Sequence, residues 1–443
     1  MKTERSAAGL PARRLGAAIV LAAAWAVPVR AETLKIGEAR LAALAASETV
    51  KQAEIAVRSG KLGEKAAAAG FLPSLSATAG VAGSATDAAI ATTSRAGLSA
   101  KATLFSGGAK VAALKSAGKE SLLAEARLRS ARLATLAELD ARFLGALETA
   151  SAYEADRKGL AAAELRLDLA EAKRQAGALS ETEYLSTLSA RASAKTKATQ
   201  AKFAADAARR TLASYLGKSV EPVASEDAVY ERIVAALRPA AERDLDALSD
   251  SLYARAEDRN PDLAQRRLAV DIAGLATTTA RADFFPSVTA SASYSASIAD
   301  GTAAAADPTF DLTAVIPLFP ISDRGAAVGI AENGAAASRS ALAQEAEELR
   351  LSIYTKILGV LSAADQIESA GAAVSYAERN YLLALEKFKL SALSASELSD
   401  AEAMLSTARL QAITSRFDLY AASGELARLL GLEDESALAD ALP

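Results

Sequence analysis

The chain repeats itself at a spacing of about half its length. Phe71-Leu72-Pro73-Ser74 returns as Phe284-Phe285-Pro286-Ser287, and Leu104-Phe105 returns as Leu318-Phe319. Ala178-Leu179-Ser180 returns as Ala392-Leu393-Ser394, and Leu212-Ala213-Ser214-Tyr215-Leu216-Gly217 returns as Leu426-Ala427-Arg428-Leu429-Leu430-Gly431. The offset is 213 at the first pair and 214 at the others. Landmarks that hold one register over such a distance imply a duplicated unit and a pseudo-symmetric architecture. The boundaries expected are a first repeat at 32–217, a connector at 218–251, a second repeat at 252–431 and a short acidic tail at 432–443.

The first 31 residues read as a secretory signal. Lys2, Arg5, Arg13 and Arg14 precede an apolar stretch from Leu15 to Val27, and Val29-Arg30-Ala31 offers a small-x-small cleavage site. Its removal leaves 45 basic against 53 acidic residues, a balance that argues against a nucleic-acid partner. The sequence holds no cysteine and no histidine. That excludes disulfides, a thiol nucleophile, the usual general base and the commonest transition-metal ligand. No catalytic, cofactor-binding or metal-binding residues are expected. Past the signal, no run of about 20 strongly apolar residues follows, so entry into a membrane requires a β-barrel.

Proline marks the architecture. None occurs from Ser74 to Glu221 or from Ile321 to Leu442, which leaves room for very long helices. A first helix is expected over Ile36–Ala69, with its counterpart over Leu263–Ala282 behind the cap Asn260-Pro261-Asp262. Two strands follow in each repeat, then a long helix, a turn, and a shorter helix capped at Gly217 or Gly431. Leu133, Leu136, Leu139, Phe143 and Leu147 form an apolar stripe at helical spacing; Leu349, Ile353, Ile357 and Leu361 do the same in the second copy.

The strands are expected at about 73–83, 95–105, 286–298 and 309–319. From Ser287 to Ile298, Val288, Ala290, Ala292, Tyr294, Ala296 and Ile298 alternate with serines and Thr289. Phe310, Leu312, Ala314, Ile316 and Leu318 alternate likewise. In the first copy Leu75, Ala77, Ala79 and Val81 share one face, as do Ala96, Leu98, Ala100, Ala102 and Leu104. Each strand has the length of a tilted transmembrane strand, with one apolar face and one small polar face. Four strands cannot close a barrel, and open edges are not tolerated in lipid. The chain is therefore expected to share a barrel with copies of itself as a cyclic oligomer.

With these landmarks in order, the chain resembles the TolC-type outer-membrane efflux proteins, the outer membrane factor family. The resemblance rests on Phe-x-Pro before each first strand, on Leu104-Phe105-Ser106-Gly107-Gly108, on Ile316-Pro317-Leu318-Phe319, on Asn260-Pro261-Asp262-Leu263, and on the Leu-Gly that closes each repeat. It implies a mainly α fold with a transmembrane β-barrel: a duplicated repeat of long helical hairpins plus two β-hairpins. It also implies a homotrimer, with a 12-stranded barrel in outer-membrane lipid on an α-helical tunnel through the periplasm. Partners implied are a periplasmic adaptor (membrane fusion) protein and an inner-membrane pump, with export by efflux or type I secretion. The tunnel's tip would be made by turns at Gly177, Ser180, Ser391 and Ser394. Phe388 to Ala401 resembles the family's tip segment, which places constriction carboxylates at Glu397 and Asp400 and, in the first copy, at Glu183. The sequence departs from the family at Ser391, where glycine is usual, and at Leu393, where some members have a latching arginine. The competing reading of these acids is a solvated helix start. The competing reading of the whole chain is a periplasmic coiled-coil structural or adaptor protein without a pore.

Overall fold

The computed structural model describes residues 32–86, 89–224, 227–299, 302–303 and 307–442. The expected signal segment lies outside them. The first half runs β1 (Glu32–Leu34), α1 (Ile36–Ala46), α2 (Glu48–Ala69), β2 (Ser74–Thr86), β3 (Ala89–Ser106), α3 (Ala109–Gln175) and α4 (Glu181–Leu216). Then come β4 (Val220–Pro222), α5 (Ala228–Arg243) and α6 (Leu245–Arg259). The second half runs α7 (Pro261–Ala282), β5 (Ser287–Ala299), β6 (Thr302–Ala303), β7 (Asp307–Val315), α8 (Ile321–Lys389) and α9 (Ala395–Leu429), and α10 (Glu435–Ala441) follows. The halves match element by element: α2 and α7 have 22 residues each, α3 and α8 have 67 and 69, α4 and α9 have 36 and 35. At 1.5 Å per residue, α3 and α8 are each about 100 Å long.

The helix expected over Ile36–Ala69 is broken at Ser47. That residue is extended (φ −61°, ψ 120°); its N–H donates to the Ala43 carbonyl and its Oγ accepts from the Val50 N–H at 3.3 Å. One serine thus ends α1 and caps α2, an alternative to the helix that serine is chemically suited to offer. Pro261 opens α7 behind the Asn260 cap, whose Oδ1 accepts from Asp262 and Leu263 N–H at 2.9 and 3.0 Å. Gly217 caps α4 in the left-handed region, and Gly431 takes it just past α9.

The four long strands form one antiparallel sheet in the order β2-β3-β5-β7, with β6 pairing a further part of β5. The register preserves the two faces across the sheet. Leu75, Ala100, Ala292 and Phe310 lie in one row, and Ser76, Ser99, Ser293 and Thr309 lie in the adjacent row. Within the polar row the Ser76 and Ser99 hydroxyls are 2.8 Å apart, and those of Ser293 and Thr309 are 2.6 Å apart. Among the described residues β2 and β7 each pair on one side only, which leaves both outer edges open.

Three strand details differ from the expected pattern. The first hairpin is longer, because its backbone pairing continues to Thr86 and Ala89. β7 stops at Val315 rather than residue 319, because Pro317 and Pro320 cannot donate to a ladder. The register shifts between Thr103 and Phe105, so Leu104 is an extra residue and Phe105, not Leu104, stands opposite Val288. Just beyond, Gly107 has φ +61°, and a Cβ there would lie 2.4 Å from the Ala282 carbonyl oxygen. Only glycine lets β3 pass the end of α7 into α3.

Among the described residues, apolar burial is divided among three clusters. One joins Tyr230, Ile233, Leu237, Leu252, Ile353, Ile357 and Leu438, so α10 packs into a core. A second joins Leu34, Leu139, Phe143, Leu212 and Val220, where β1 pairs in parallel with β4. The expected helical stripes supply Leu136, Leu139, Phe143, Ile353 and Ile357, all almost fully buried. Between these clusters lies a buried ion network. Arg40 of α1 meets Asp140 of α3 at 3.0 and 2.8 Å and Glu435 of α10 at 2.6 Å, while Arg428 of α9 meets Asp140 at 2.9 Å. Burial pushes the Asp140 carboxyl up, against the pull of Arg40.

Candidate functional site: the two turns that end the helical hairpins

The third cluster joins both hairpin turns. Ala170, Phe388, Ala395, Leu398 and Ala401 pack with Leu179, Tyr184 and Leu393. Leu393, at the position where the resemblance anticipated a basic residue in some members, packs against this apolar cluster.

Each turn is built the same way. The Ala178 N–H returns to the Lys173 carbonyl at 2.8 Å, and the Ala392 N–H returns to the Lys387 carbonyl at 2.9 Å. Such a return requires a left-handed residue. Gly177 supplies it in the first turn with φ +73°; Ser391 supplies it in the second with φ +57°. Ser391 is the only non-glycine among the described residues with positive φ.

Ser180 and Ser394 then start α4 and α9 with capping boxes. Ser180 Oγ accepts from the Glu183 N–H at 3.3 Å, and Glu183 Oε2 accepts from the Ser180 N–H at 3.2 Å and hydroxyl at 2.8 Å. Ser394 and Glu397 repeat this at 3.2, 2.9 and 2.8 Å. The Ser180 hydroxyl and N–H hold the Glu183 carboxyl below its usual range; the Ser394 N–H and hydroxyl do the same for Glu397. Both acids are thus capping residues that stay ionised. Each turns back on its own serine. Asp400, nearly one turn further along α9, is exposed.

The basic group that reaches the second turn comes from the first hairpin. Lys173 Nζ donates to the Phe388 carbonyl and, at 3.0 Å, to Ser391 Oγ, and it lies 4.3 Å from the centre of the Phe388 ring. A cation there also faces the negative end of α8. Burial lowers the Lys173 pKa, with Glu183 pulling the other way. Neighbouring Arg174 stacks 4.0 Å over Tyr184 and reaches Glu181 at 3.4 Å. The sequence signal for Lys173 was only a basic pair at the end of a long helix, and such a pair is what any helix C-terminus favours.

Among the described residues no helix is long and apolar enough to cross a membrane, and no group of three or more acidic side chains is placed to hold a metal ion. What the molecule offers is a sheet with an apolar face at one region of long helices and a pair of turns packed on one apolar cluster at their far ends.

A family model for outer membrane efflux proteins matches residues 41–218 and 252–432. The fold is similar to that of VceC, an outer membrane protein of Vibrio cholerae, at 15% identity and a TM-score of 0.75, over 89% of this chain and 96% of that one. It is similar to CusC at 15% identity and a TM-score of 0.77, over 91% and 94%. It is similar to the Campylobacter jejuni CmeC outer membrane channel at 14% identity and a TM-score of 0.74, over 92% and 90%. No match was found among curated proteins. The structural likenesses establish the fold, and the family model spans most of the sequence. The chain belongs to the outer membrane efflux protein family.

Proposed function

We propose that three copies of the chain join their four-stranded sheets edge to edge into a 12-stranded barrel, with the apolar face toward lipid and the serine-rich face toward water. Substrate passes from the turn end, through a tunnel lined by the helices, to the barrel. A periplasmic adaptor and an inner-membrane pump feed it, and the chain itself performs no chemistry. Glu397, Asp400 and Glu183 ring the constriction at the tip, and the turns at Gly177, Ser180, Ser391 and Ser394 form its rim. The repeats act as units 32–217 and 252–431, joined through 218–251.

The observation that carries this reading is the sheet. Its two faces remain distinct across all four strands, and both edges are open. Open edges in lipid must be paired. Native mass measurement of detergent-extracted outer membranes is expected to give a trimer; a soluble periplasmic monomer would refute it. Face assignment is tested by Ala292→Arg and Ala314→Arg, which place a charge on the apolar rows at a cost of about 2–4 kcal/mol near the bilayer midplane. Ser293→Arg, on the polar row, is expected to assemble. Equal tolerance on both faces would reverse or abolish the assignment.

A further inference from the structure

The four long strands carry two cations and two anions. Arg95 and Lys101 are on β3, and Asp307 and Asp311 are on β7; β2 and β5 carry no charge. All four side chains are exposed. The register places all four on the serine-rich face. Lys101 stands between Ser74 and Ser291, and Ser291 stands opposite Asp311. Asp307 stands opposite Ser295, which stands opposite Gly97. Arg95, between Gly80 and Ser297, lies one same-face row further on. Lys101 and Asp311 therefore share a row with only Ser291 between them, two strand spacings or about 10 Å apart.

The signs alternate by strand. Along the order β2-β3-β5-β7 the strands read uncharged, positive, uncharged, negative. Three such sheets, joined with β7 of one copy against β2 of the next, continue that order without a fault. Every second strand of the barrel is then charged, and its sign is opposite to that of the charged strand on either side. Evenly spaced stripes of alternating sign cancel along the barrel axis. Near the wall their field fades over about 10 Å, one stripe spacing, which is also the screening length at 0.1 M salt. A ring of one sign would instead raise a potential across the whole opening.

We propose that Arg95, Lys101, Asp307 and Asp311 make the barrel a charge-balanced exit, which passes cargo of either sign and leaves discrimination by charge to other parts of the conduit. The inference rests on the conduit reading above and on its assignment of the serine-rich face to water. The four residues determine specificity as a set. Each sign is present to cancel the other, so the wall is polar and hydrated without favouring cations or anions.

The test is the potassium-to-chloride permeability ratio of the full-length trimer in a planar bilayer, read from the reversal potential in a potassium chloride gradient of about 0.1 M. Asp307→Asn with Asp311→Asn leaves only cations on the wall; it is expected to lower the ratio about threefold or more relative to wild type. Arg95→Gln with Lys101→Gln leaves only anions and is expected to raise the ratio by a similar factor. All four substitutions together restore the balance and are expected to return the ratio to its wild-type value. These changes lie on an exposed polar face, so assembly is expected to survive them. Should one pair not assemble, the other must still shift the ratio in its own direction. A ratio unmoved by either pair, shifts in the same direction by both, or a fourfold variant that stays displaced overturns the proposal. A wild-type trimer that never conducts overturns the conduit reading and this inference with it, whereas a conducting trimer that gives any of those results overturns only this one.

Discussion

The turn between α3 and α4 and the turn between α8 and α9 follow one backbone with different residues. Ser180 with Glu183 and Ser394 with Glu397 make the same capping box, and both turns return through a left-handed residue. The first turn uses glycine there and is self-contained. The second uses Ser391, a conformation that costs a non-glycine residue of order 1–3 kcal/mol. In exchange the Ser391 hydroxyl receives Lys173 from the other hairpin. Lys387, the counterpart of Lys173 in the second copy, is exposed. The duplication has kept the frame and separated the roles: one turn supplies the cation and the other supplies its seat.

The sharpest way to break this comparison is to remove each lysine in turn. Lys173→Met is expected to destabilise the protein by about 1–2 kcal/mol through loss of charged hydrogen bonds. Lys387→Met is expected to change it by less than about 0.5 kcal/mol, as exposed substitutions do. Equal losses in chemical denaturation would mean that the turns are not specialised.

Exchanging the left-handed residues gives a smaller effect. Gly177→Ser is expected to cost about 1 kcal/mol, because nothing in the first turn repays the strain. Ser391→Gly relieves strain but forfeits the Lys173 bond, so its net effect is expected within about 0.5 kcal/mol of zero. A double-mutant cycle with Lys173→Met measures the coupling directly; a coupling of zero would remove Lys173 from the account of Ser391.

Acid probes what the turns share. Glu183 and Glu397 both titrate below their usual range in the folded state. Their capping stabilisation is thus complete above the ordinary glutamate pKa of about 4.3 and is lost as pH falls through their lowered folded values. Ser180→Ala and Ser394→Ala remove the hydroxyl and keep the backbone N–H, so each is expected to weaken this acid sensitivity, Ser180→Ala the more, because the hydroxyl is the leading cause at Glu183 and the N–H is the leading cause at Glu397. Melting temperature followed between pH 6 and 3 checks this; a larger loss of sensitivity in Ser394→Ala would overturn the ranking.

The smallest effect on stability and the most informative on function comes from neutralising the acids. Glu397→Gln keeps the capping box, since glutamine serves in it as well as glutamate, and Asp400→Asn keeps shape. Threefold symmetry would gather these carboxylates about one axis, so the wild-type channel is expected to prefer cations and to be blocked by divalent or trivalent cations. The paired variant is expected to lose both properties with stability nearly unchanged. Unaltered selectivity would leave Glu397 and Asp400 as capping and solvated residues only. Glu183→Gln reports the same for the first copy.

Periodic features were legible in the sequence, and contacts between hairpins were not. Period-two alternation in Ser287–Ile298 gave the strand and its faces, because pleating forces neighbouring side chains apart. Long proline-free tracts gave α3 and α8. Ser180, Ser394 and their glutamates were legible as turns, yet their main task is local capping, which any Ser-x-x-Glu at a helix start performs. Lys173 was illegible because it acts on residues more than 200 positions away. The break at Ser47 was legible in principle, since serine with Glu48-Thr49-Val50 after it is a helix start. The bulge at Leu104 was not, because alternation read along one strand says nothing of a register shift against its partner.

Arg40, Asp140, Arg428 and Glu435 carry a consequence for the order of assembly. The two guanidiniums and two carboxylates come from the first helix, the third, the ninth and the last. A chain delivered N-terminus first presents Arg40 early and Glu435 only at the end. Until α10 arrives, Arg40 has one of its two carboxylates, and the pocket that will bury it remains charged and wet. The helical body therefore cannot be completed by any fragment that lacks the final helix, however complete its barrel strands. A nascent chain stopped short of Glu435 announces its own incompleteness as an exposed, half-neutralised arginine.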